Sequence, residues 1–275
     1  MKIQRDNLIC SSMIMYLDNV ICNEGKGFKN INSKIYPTTA IYANMHTYSL
    51  PVKQVLADSS VSGANILSGI YINNSFKTIG SNNITGINHY EGQVYFTQNP
   101  NTDQISGSYA IKDFNLYLTN RKDQTLIFEQ AYKIRAKTPQ TMTGLAPSED
   151  TIPAIFIKNI GGYSRPFALG GVKKLTTDIR CTVITDNLYD LDALCSLLKE
   201  KSNAYLPIIK PSDLKLNNLN SLPSGFYNYN ELASNADYQL YIDDINISKN
   251  TDIQSDVITF NLHTAFIDFS LSNIK

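Results

Sequence analysis

Three histidines and four cysteines are the residues of this chain best suited to nucleophilic, acid–base or metal chemistry. His46, His89 and His263 have no second His, Cys or carboxylate at a spacing that would place two metal ligands on one face of a helix or strand. His89 and Glu91 come closest, but they precede a glycine at a predicted hairpin entry. That context favours turn chemistry over a binding or catalytic site.

The cysteines, Cys10, Cys22, Cys181 and Cys195, form no CxxC pair and have no histidines at zinc-finger spacing. Cys181 and Cys195 fall on the apolar faces of predicted elements. A thiol in apolar surroundings stays protonated and unreactive. We therefore expect reduced, buried cysteines without a catalytic role.

Two pairs of neighbouring aspartates could in principle hold a cation or work as acid and base. Asp190 and Asp192 lie on a predicted helix, where side chains two positions apart point about 200° from each other. Asp243 and Asp244 lie on a predicted strand and face opposite sides of its sheet. The chain also lacks a nucleophile elbow, a phosphate-binding loop and a dinucleotide fingerprint. We therefore expect no catalytic, metal or cofactor-binding residues and no cofactor, and the chain is interpreted as not an enzyme.

The charge balance argues against an electrostatic partner. Lys+Arg and Asp+Glu both total 24, so the formal net charge is +0 and no global field draws the chain onto nucleic acid or an anionic membrane. Only 17% of residues are charged, so Asn, Ser and Thr must supply much of the surface, and these residues favour turns and caps. No run approaches the roughly 18 apolar residues of a membrane-spanning helix. Ser11-Ser12 and Asp18 interrupt the apolar stretch near the N-terminus, so we expect no secretion signal there.

Residues 5–22 predict an amphipathic N-terminal helix with Asp6 or Asn7 near its cap. Its apolar residues recur at spacings of three and four and lie on one face: Ile9, Met13, Tyr16, Leu17 and Val20. This face would dock on the chain's own core or against a neighbouring subunit.

From about residue 38 to 137 the apolar residues alternate with polar ones, which predicts antiparallel strands separated by Gly, Asn, Ser and Asp turns. Phe114, Leu116 and Leu118 define one such strand, and Val94 and Phe96 define another. Residues 126–134 are predicted as a further strand. The strand spacing favours a small sandwich or an open barrel.

After a Pro- and Gly-containing linker at 138–153, the pattern predicts strands around Ile155–Ile157 and Ile179–Val183, with an irregular loop between the glycine pairs at 161–162 and 170–171. A helix over 187–201 follows, capped by Asp186-Asn187. The helix has one apolar face: Leu188, Leu191, Leu194, Cys195 and Leu198.

A long loop at 210–236 separates this helix from two closing strands, 238–248 and 256–271. The last strand reads as apolar on both faces, which predicts a central position in its sheet. Its apolar members include Ile258, Phe260, Leu262, Phe266 and Phe269.

Together these patterns predict a β-rich α+β fold. Residues 1–30 form the N-terminal helix and arm, and 31–137 form an antiparallel β sandwich or barrel module. Residues 138–153 are the linker. Residues 154–275 form an α+β module, in which one helix packs on a mixed or antiparallel sheet.

Five segments of the chain remain to be interpreted: RPFALGG at 165–171, TDIR at 177–180, TDNLYDLDAL at 185–194, YEGQVYF at 90–96 and IKDFNLYLT at 111–119. They resemble virion structural proteins of tailed bacteriophages. The resemblance implies a neck, head-to-tail connector or tail protein of the virion, assembled in the host cytoplasm. Its implied partners are copies of itself in a ring and other neck or tail proteins, with no specific nucleic acid and no membrane. The separate N-terminal β module departs from minimal tail-terminator subunits, which are shorter.

Two rival functions stay open. The sandwich-like first half and the 17 tyrosines suit a carbohydrate- or receptor-binding β module of a tail or baseplate, since tyrosine stacks on sugars as well as filling interfaces. A hydrolase that assembles distant residues around His89 or His263 is the third hypothesis.

Overall fold

The computed structural model of the chain describes residues 5–100, 104–136, 150–167, 171–249 and 262–274. The predicted β-rich α+β class is confirmed. The elements in chain order are α1 (Arg5–Asn19), a π-helical turn (Val20–Glu24), β1 (Phe28–Lys34), β2 (Tyr36–Tyr42), β3 (Met45–Ser49), β4 (Gly69–Ile72), β5 (Ser75–Thr78), β6 (Ile84–Asn88), β7 (Gln93–Phe96), β8 (Ile105–Lys112), β9 (Asn115–Leu118), α2 (Asp123–Ala136), β10 (Ala154–Pro166), β11 (Lys173–Thr185), α3 (Leu188–Lys199), β12 (Tyr205–Pro207), α4 (Pro211–Leu214), α5 (Tyr229–Ser234), β13 (Gln239–Lys249) and β14 (His263–Ile274).

The chain folds into two compact units, each built from separate stretches of sequence. The sandwich unit comprises Cys22–Asp113 and Lys210–Asn235. The single-sheet unit comprises the described residues of Met1–Ile21, Phe114–Ile209 and Ala236–Lys275.

These bounds differ from the contiguous modules that the sequence predicts. The helix of 1–30 and the strand after residue 113 both join the later sheet, and the predicted loop at 210–236 returns to the first unit. The reason is that strand pairing and burial connect segments far apart in the chain, which local pattern does not report. The predicted linker at 138–153 lies mostly outside the described residues.

Two antiparallel four-stranded sheets form the sandwich unit, with strand orders β1-β8-β4-β5 and β2-β3-β7-β6. Both sheets contribute to one apolar core, in which Ile70 and Tyr109 from the first sheet cluster with Val94 and Phe96 from the second. Burial of this shared core is what holds the two sheets face to face.

Asparagine builds the tight turns of this unit. Asn73 and Asn74, between β4 and β5, have φ values of 49° and 62°. Ala43 and Asn44 join β2 to β3 with φ values of 49° and 61°. Two successive residues at positive φ characterise the two-residue hairpin turn whose twist matches the strands, and asparagine tolerates that conformation better than most residues.

Lys210–Asn235, which we call the return segment, is held on the sandwich unit by buried hydrogen bonds. The Ser221 hydroxyl accepts from the Ile87 backbone N–H at 2.8 Å. The Asp58 carboxylate accepts from the Tyr229 backbone N–H at 2.9 Å. The segment is therefore fixed in place, although its sequence reads as a long neutral loop.

One six-stranded sheet organises the single-sheet unit, in the order β12-β13-β14-β11-β10-β9. All neighbours are antiparallel except β9 and β10, which are parallel. The predicted central position of the last strand is confirmed, since β14 lies between β13 and β11. Residues 256–261 of that predicted strand lie outside the described ranges.

The two faces of this sheet differ in character. The apolar face carries Ile179, Cys181 and Val183 of β11, and it is covered by α1 and α3. The polar face carries Lys158, Arg180 and Asp268 in one row across three strands. The expectation that the last strand is apolar on both faces holds only beside α2, where Phe266 lies on the polar face and packs with Phe156. Farther along the strand it is wrong: Ile267, Phe269 and Leu271 alternate with Asp268, Ser270 and Ser272.

Both predicted helices of this unit are confirmed, with one exception in the buried face. In α1, Ile9, Met13 and Leu17 are fully or almost fully buried. In α3, the Asn187 side chain accepts from the Tyr189 N–H as the N-cap, but Leu188 is exposed, not part of the buried face. Leu188 is the first residue of the helix, and the buried face begins at Leu191.

Residues 126–134, predicted as a strand, lie instead in α2. Leu126, Ile127 and Gln130 are buried, which places them on one helix face, and the two apolar ones cluster with Phe156 of β10. A short apolar run is compatible with the periodicity of a helix and with that of a strand. Packing of Leu126 and Ile127 against the sheet therefore decides in favour of the helix.

The irregular loop predicted between the two glycine pairs is mostly regular hairpin. Strand β10 continues to Pro166 and pairs with β11 as far as Lys173. Residues 168–170 lie outside the described ranges. Gly161 and Gly162, which the sequence predicts at the edge of a loop, therefore lie within strand β10, and Gly171 lies just before β11.

The first glycine pair permits the strand to continue past a bulge between Asn159 and Gly161. Gly161 has a φ of 137°, a conformation that side chains disfavour. At Gly162 a Cβ atom would lie 2.3 Å from the Thr176 carbonyl oxygen. The pair thus combines the backbone freedom and the close strand approach that only glycine allows.

Candidate functional site

Of the three histidines, His89 alone is buried. It lies after β6 in the sandwich unit, with Nε2 3.0 Å from the Leu67 carbonyl oxygen, an acceptor that requires an N–H. Burial lowers the pKa of its imidazole to about 4, so the ring is neutral at pH 7. His46 is exposed on β3, and His263 is half-buried at the start of β14 in the other unit.

All four cysteines are buried and unbridged, as the sequence predicts. Burial raises the pKa of the Cys10 thiol to about 11, and it also raises the pKa of Cys181 and Cys195. These thiols remain protonated near neutral pH, a state unsuited to nucleophilic attack.

The neighbouring aspartates are used in separate surface ion pairs. Asp192 accepts from the Lys249 ammonium at 2.6 Å, and Asp243 lies 2.7 Å from the Lys174 ammonium. Asp190 lies in the first turn of α3, where the helix dipole favours a negative charge.

A network of charged side chains on the polar face of the six-stranded sheet is not visible in the sequence pattern. The Asp123 carboxylate, at the start of α2, accepts from Lys158 Nζ at 2.6 Å and from Thr182 Oγ1 at 2.7 Å. Its other oxygen accepts from Arg180 Nη1 at 3.4 Å. Arg180 in turn donates two hydrogen bonds to Asp268. Four elements, α2, β10, β11 and β14, are tied together by this cluster.

The electrostatics of the network favour permanent charges. Burial alone would raise the pKa of Asp123, but the hydrogen bonds from Lys158 and Thr182 hold it below its ordinary value. The bonds to Asp268 raise the pKa of the Arg180 guanidinium further above its already high value. A general acid or base works best with a pKa near the working pH, whereas the pKa values of Asp123 and Arg180 are shifted away from it. These two side chains are therefore better suited to anchoring α2 on the sheet than to transferring protons.

A cavity of about 390 Å³ adjoins this network and is lined by Lys122, Gln124, Ile127 and Phe266 besides Asp123 and Arg180. The Arg180 guanidinium carbon lies 5.4 Å from the centre of the Phe266 ring, a cation–π distance. Within the described ranges no group of three His, Cys, Asp or Glu side chains could hold a metal ion.

The far half of the β10–β11 hairpin is the second feature that the sequence did not reveal. Every residue from Ile160 to Pro166 is exposed. Strand β9 pairs only with Ala154–Ile157, so in the part of the chain that the structure describes, the rest of β10 has a partner strand on one side alone. We call Lys158–Pro166 the free edge of β10.

The opposite side of the same sheet has a similar edge. Strand β12 pairs only with Gln239–Tyr241 of β13. From Asp244 to Lys249, the only strand paired with β13 among the described residues is β14. We call Asp244–Lys249 the free edge of β13.

No protein-family model and no curated protein matches this chain. The likeness to tailed-phage virion proteins therefore stays a hypothesis that rests on the five sequence segments. Among the described residues, no helix combines the length and the apolar character that crossing a bilayer requires.

Sequence signals for the missed features exist but are not specific. Arg180 alternates with buried residues on β11, and Asp268 does so on β14, which indicates one polar sheet face. Their pairing depends on strand register, and the free edges depend on where β9 and β12 end. Neither the strand register nor the point at which a strand ends is encoded in the local spacing of residues.

Proposed function

We propose that this chain is a non-enzymatic structural component of a tailed-phage virion, at the neck, the head-to-tail connector or the tail. It acts through contacts with copies of itself in a ring and with other neck or tail proteins, and it belongs to the virion assembled in the host cytoplasm. The observation that supports this proposal best is the pair of free edges on the six-stranded sheet.

An exposed strand edge offers a row of N–H and C=O groups to which another chain can add a strand. The two free edges lie on opposite sides of one sheet, so the β10 edge of one copy can pair with the β13 edge of the next. Such a head-to-tail contact uses two different surfaces of each copy. It produces a closed ring when a whole number of copies, each rotated by the same angle from the last, completes a full turn.

Side chains on the free edge of β10 suit a subunit interface. Ile160 and Tyr163 are 45% and 48% exposed. The Arg165 guanidinium carbon lies 4.5 Å from the centre of the Tyr163 ring. Aromatic residues and arginine are enriched in protein interfaces, where their apolar area is removed from water. The free edge of β13 carries Asp244, whose negative charge is complementary to Arg165.

Light scattering after size-exclusion chromatography, followed by negative-stain microscopy, tests the assembly. The full chain is expected to form rings, and Ile160→Asp is expected to shift it toward the monomer because a charge replaces an apolar contact. Leu216→Asp is the matched control: Leu216 is 44% exposed but belongs to the sandwich unit, which carries neither edge, so the oligomer should persist. A strictly monomeric chain that joins no partner neck or tail protein contradicts the proposal.

The phage assignment has a separate test in the neighbouring genes. Genes for a portal, a sheath or a tail tube beside this one support a virion role. A metabolic operon in that place contradicts the phage role, even if the protein forms rings.

A second candidate function is a carbohydrate- or receptor-binding module of a tail or baseplate, located in the sandwich unit. Tyr71 and Phe76 favour it: they flank the β4–β5 turn, both are exposed, and their ring centres are 5.3 Å apart. Exposed aromatic pairs can stack on the apolar face of a sugar. Loss of glycan-array binding in Tyr71→Ala would support this function, whereas an array without any binding would exclude it.

A further inference from the structure

The polar face of the six-stranded sheet carries an open groove at the opposite end of β11 and β14 from α2. Its volume is about 560 Å³, within the range of small-ligand sites. Helices α1 and α3 lie on the other face of the sheet. The residues that matter for recognition are Tyr205, Tyr241, Gln239, Ser272, Lys174 and Asp243.

Two tyrosines form a rigid aromatic corner in this groove. Tyr205 and Tyr241 are directly opposite each other on β12 and β13, with ring centres 5.5 Å apart and planes inclined at 60°. The Tyr241 hydroxyl donates to Asn203 Oδ1 at 2.6 Å, which fixes the orientation of that ring. Tyr205 is 61% exposed, so its ring presents apolar area to solvent on a strand rather than on a loop.

The polar groups of the groove are neutral in sum. Lys174 and Asp243 form an ion pair at 2.7 Å, so their opposite charges compensate each other. Gln239 adds an amide and Ser272 a hydroxyl, each of which can donate and accept hydrogen bonds. A charged ligand therefore gains little from this site, whereas a ligand with many neutral hydroxyls matches it.

We propose that this groove binds a short, neutral saccharide. The C–H face of one sugar ring packs on Tyr205, Tyr241 closes the second wall, and the hydroxyls bond to the Gln239 amide and the Ser272 hydroxyl. The combination is specific to this ligand class because a sugar joins an apolar face to a rim of hydrogen-bonding groups. This site differs from the Tyr71 and Phe76 pair of the sandwich unit and does not depend on the phage assignment.

Calorimetric titration of the full chain with neutral trisaccharides tests the proposal. The probes are maltotriose, cellotriose and N-acetylchitotriose, each titrated to about 10 mM, where millimolar affinity is detectable. At least one is expected to bind. Tyr205→Ala should weaken that binding about tenfold, because the stacking ring is lost, and Tyr205→Phe should leave it within about threefold.

Two matched controls locate the effect. Tyr189→Ala removes a tyrosine that is 85% exposed on α3, and Tyr71→Ala removes one from the sandwich unit, so both should bind like the unchanged protein. The thermal midpoint of each variant establishes that it is folded. Absence of binding by all three saccharides overturns the proposal, as does loss of binding in Tyr71→Ala instead of Tyr205→Ala. Self-association that disappears in Tyr205→Ala, without saccharide binding, assigns the groove to a second copy and also overturns it.

Discussion

Arg180 and Asp268 are directly opposite each other on the neighbouring strands β11 and β14, joined by two hydrogen bonds of 2.7 Å each. Nε and Nη2 of the guanidinium donate to Oδ1 and Oδ2 of the carboxylate, the parallel geometry that arginine forms best. Because Arg180 also reaches Asp123, this pair links the middle of the sheet to α2.

Replacing Asp268 by Ala should lower the free energy of unfolding by about 1–2 kcal/mol, since a charge-assisted pair is lost but both side chains are about 30% exposed to screening water. Urea denaturation measures the change. Asp192→Ala is the control, because its pair with Lys249 lies at the surface and should contribute nothing measurable. Equal effects of the two variants would show that the network adds no stability.

Protonation of His89 should make the protein less stable in mild acid. Its pKa is lowered to about 4 in the fold, from 6.5, so between these values the unfolded chain binds the proton more strongly. Stability contributed by the neutral ring is complete above pH 6.5 and is lost as the pH falls toward 4. The expected loss between pH 7.5 and pH 5 is about 2 kcal/mol.

Denaturation curves of the wild type and His89→Gln at these two pH values isolate the contribution of His89. The variant should be less stable at pH 7.5 but should lose about 2 kcal/mol less on acidification. An identical pH dependence of the two proteins would show that another group is responsible.

Substitution of Gly162 by Ala should loosen the β10–β11 hairpin. The added Cβ would lie 2.3 Å from the Thr176 carbonyl oxygen and 3.2 Å from Thr177 Cα, so the strands must separate. Overpacking of this kind costs about 1–3 kcal/mol. Faster hydrogen exchange at the β11 amides is the expected observation. Ser164→Ala, on an exposed position of the same strand, should leave that exchange unchanged.

Removal of the Asp58 carboxylate should release the return segment. Asp58 is fully buried, and its Oδ1 accepts from the backbone N–H of Ser60 and of Tyr229, at 2.9 Å each, and from the Ser60 hydroxyl at 2.8 Å. Asp58→Ala leaves these donors without that acceptor, at a cost of about 2 kcal/mol.

Limited proteolysis reports on that release. Cleavage within Lys210–Asn235 should accelerate in Asp58→Ala and less so in Asp58→Asn, which keeps an oxygen acceptor. An unchanged cleavage pattern would mean that the segment is held by its other contacts, including Ser221.

Local pattern predicted the elements whose periodicity is long or capped. Helix α3 was predicted from the Asn187 cap and the spacing of Leu191, Leu194 and Leu198. The prediction of a strand over residues 126–134 is wrong because a short apolar run does not distinguish helix from strand. The prediction of a loop at Gly161-Gly162 is wrong because glycine occurs in loops and in bulges alike.

The sequence by itself determined the β-rich class, the two helices beside the later sheet and the turns built on asparagine, since each depends on residues close together in the chain. Only the tertiary structure decided that α1 and Lys210–Asn235 belong to different units from their neighbours, that Arg180 meets Asp268, and that Tyr205 meets Tyr241. These relations depend on strand order and register, and the free energy of burying whole faces selects that register. The exposed edges and the aromatic groove are consequences of that selection.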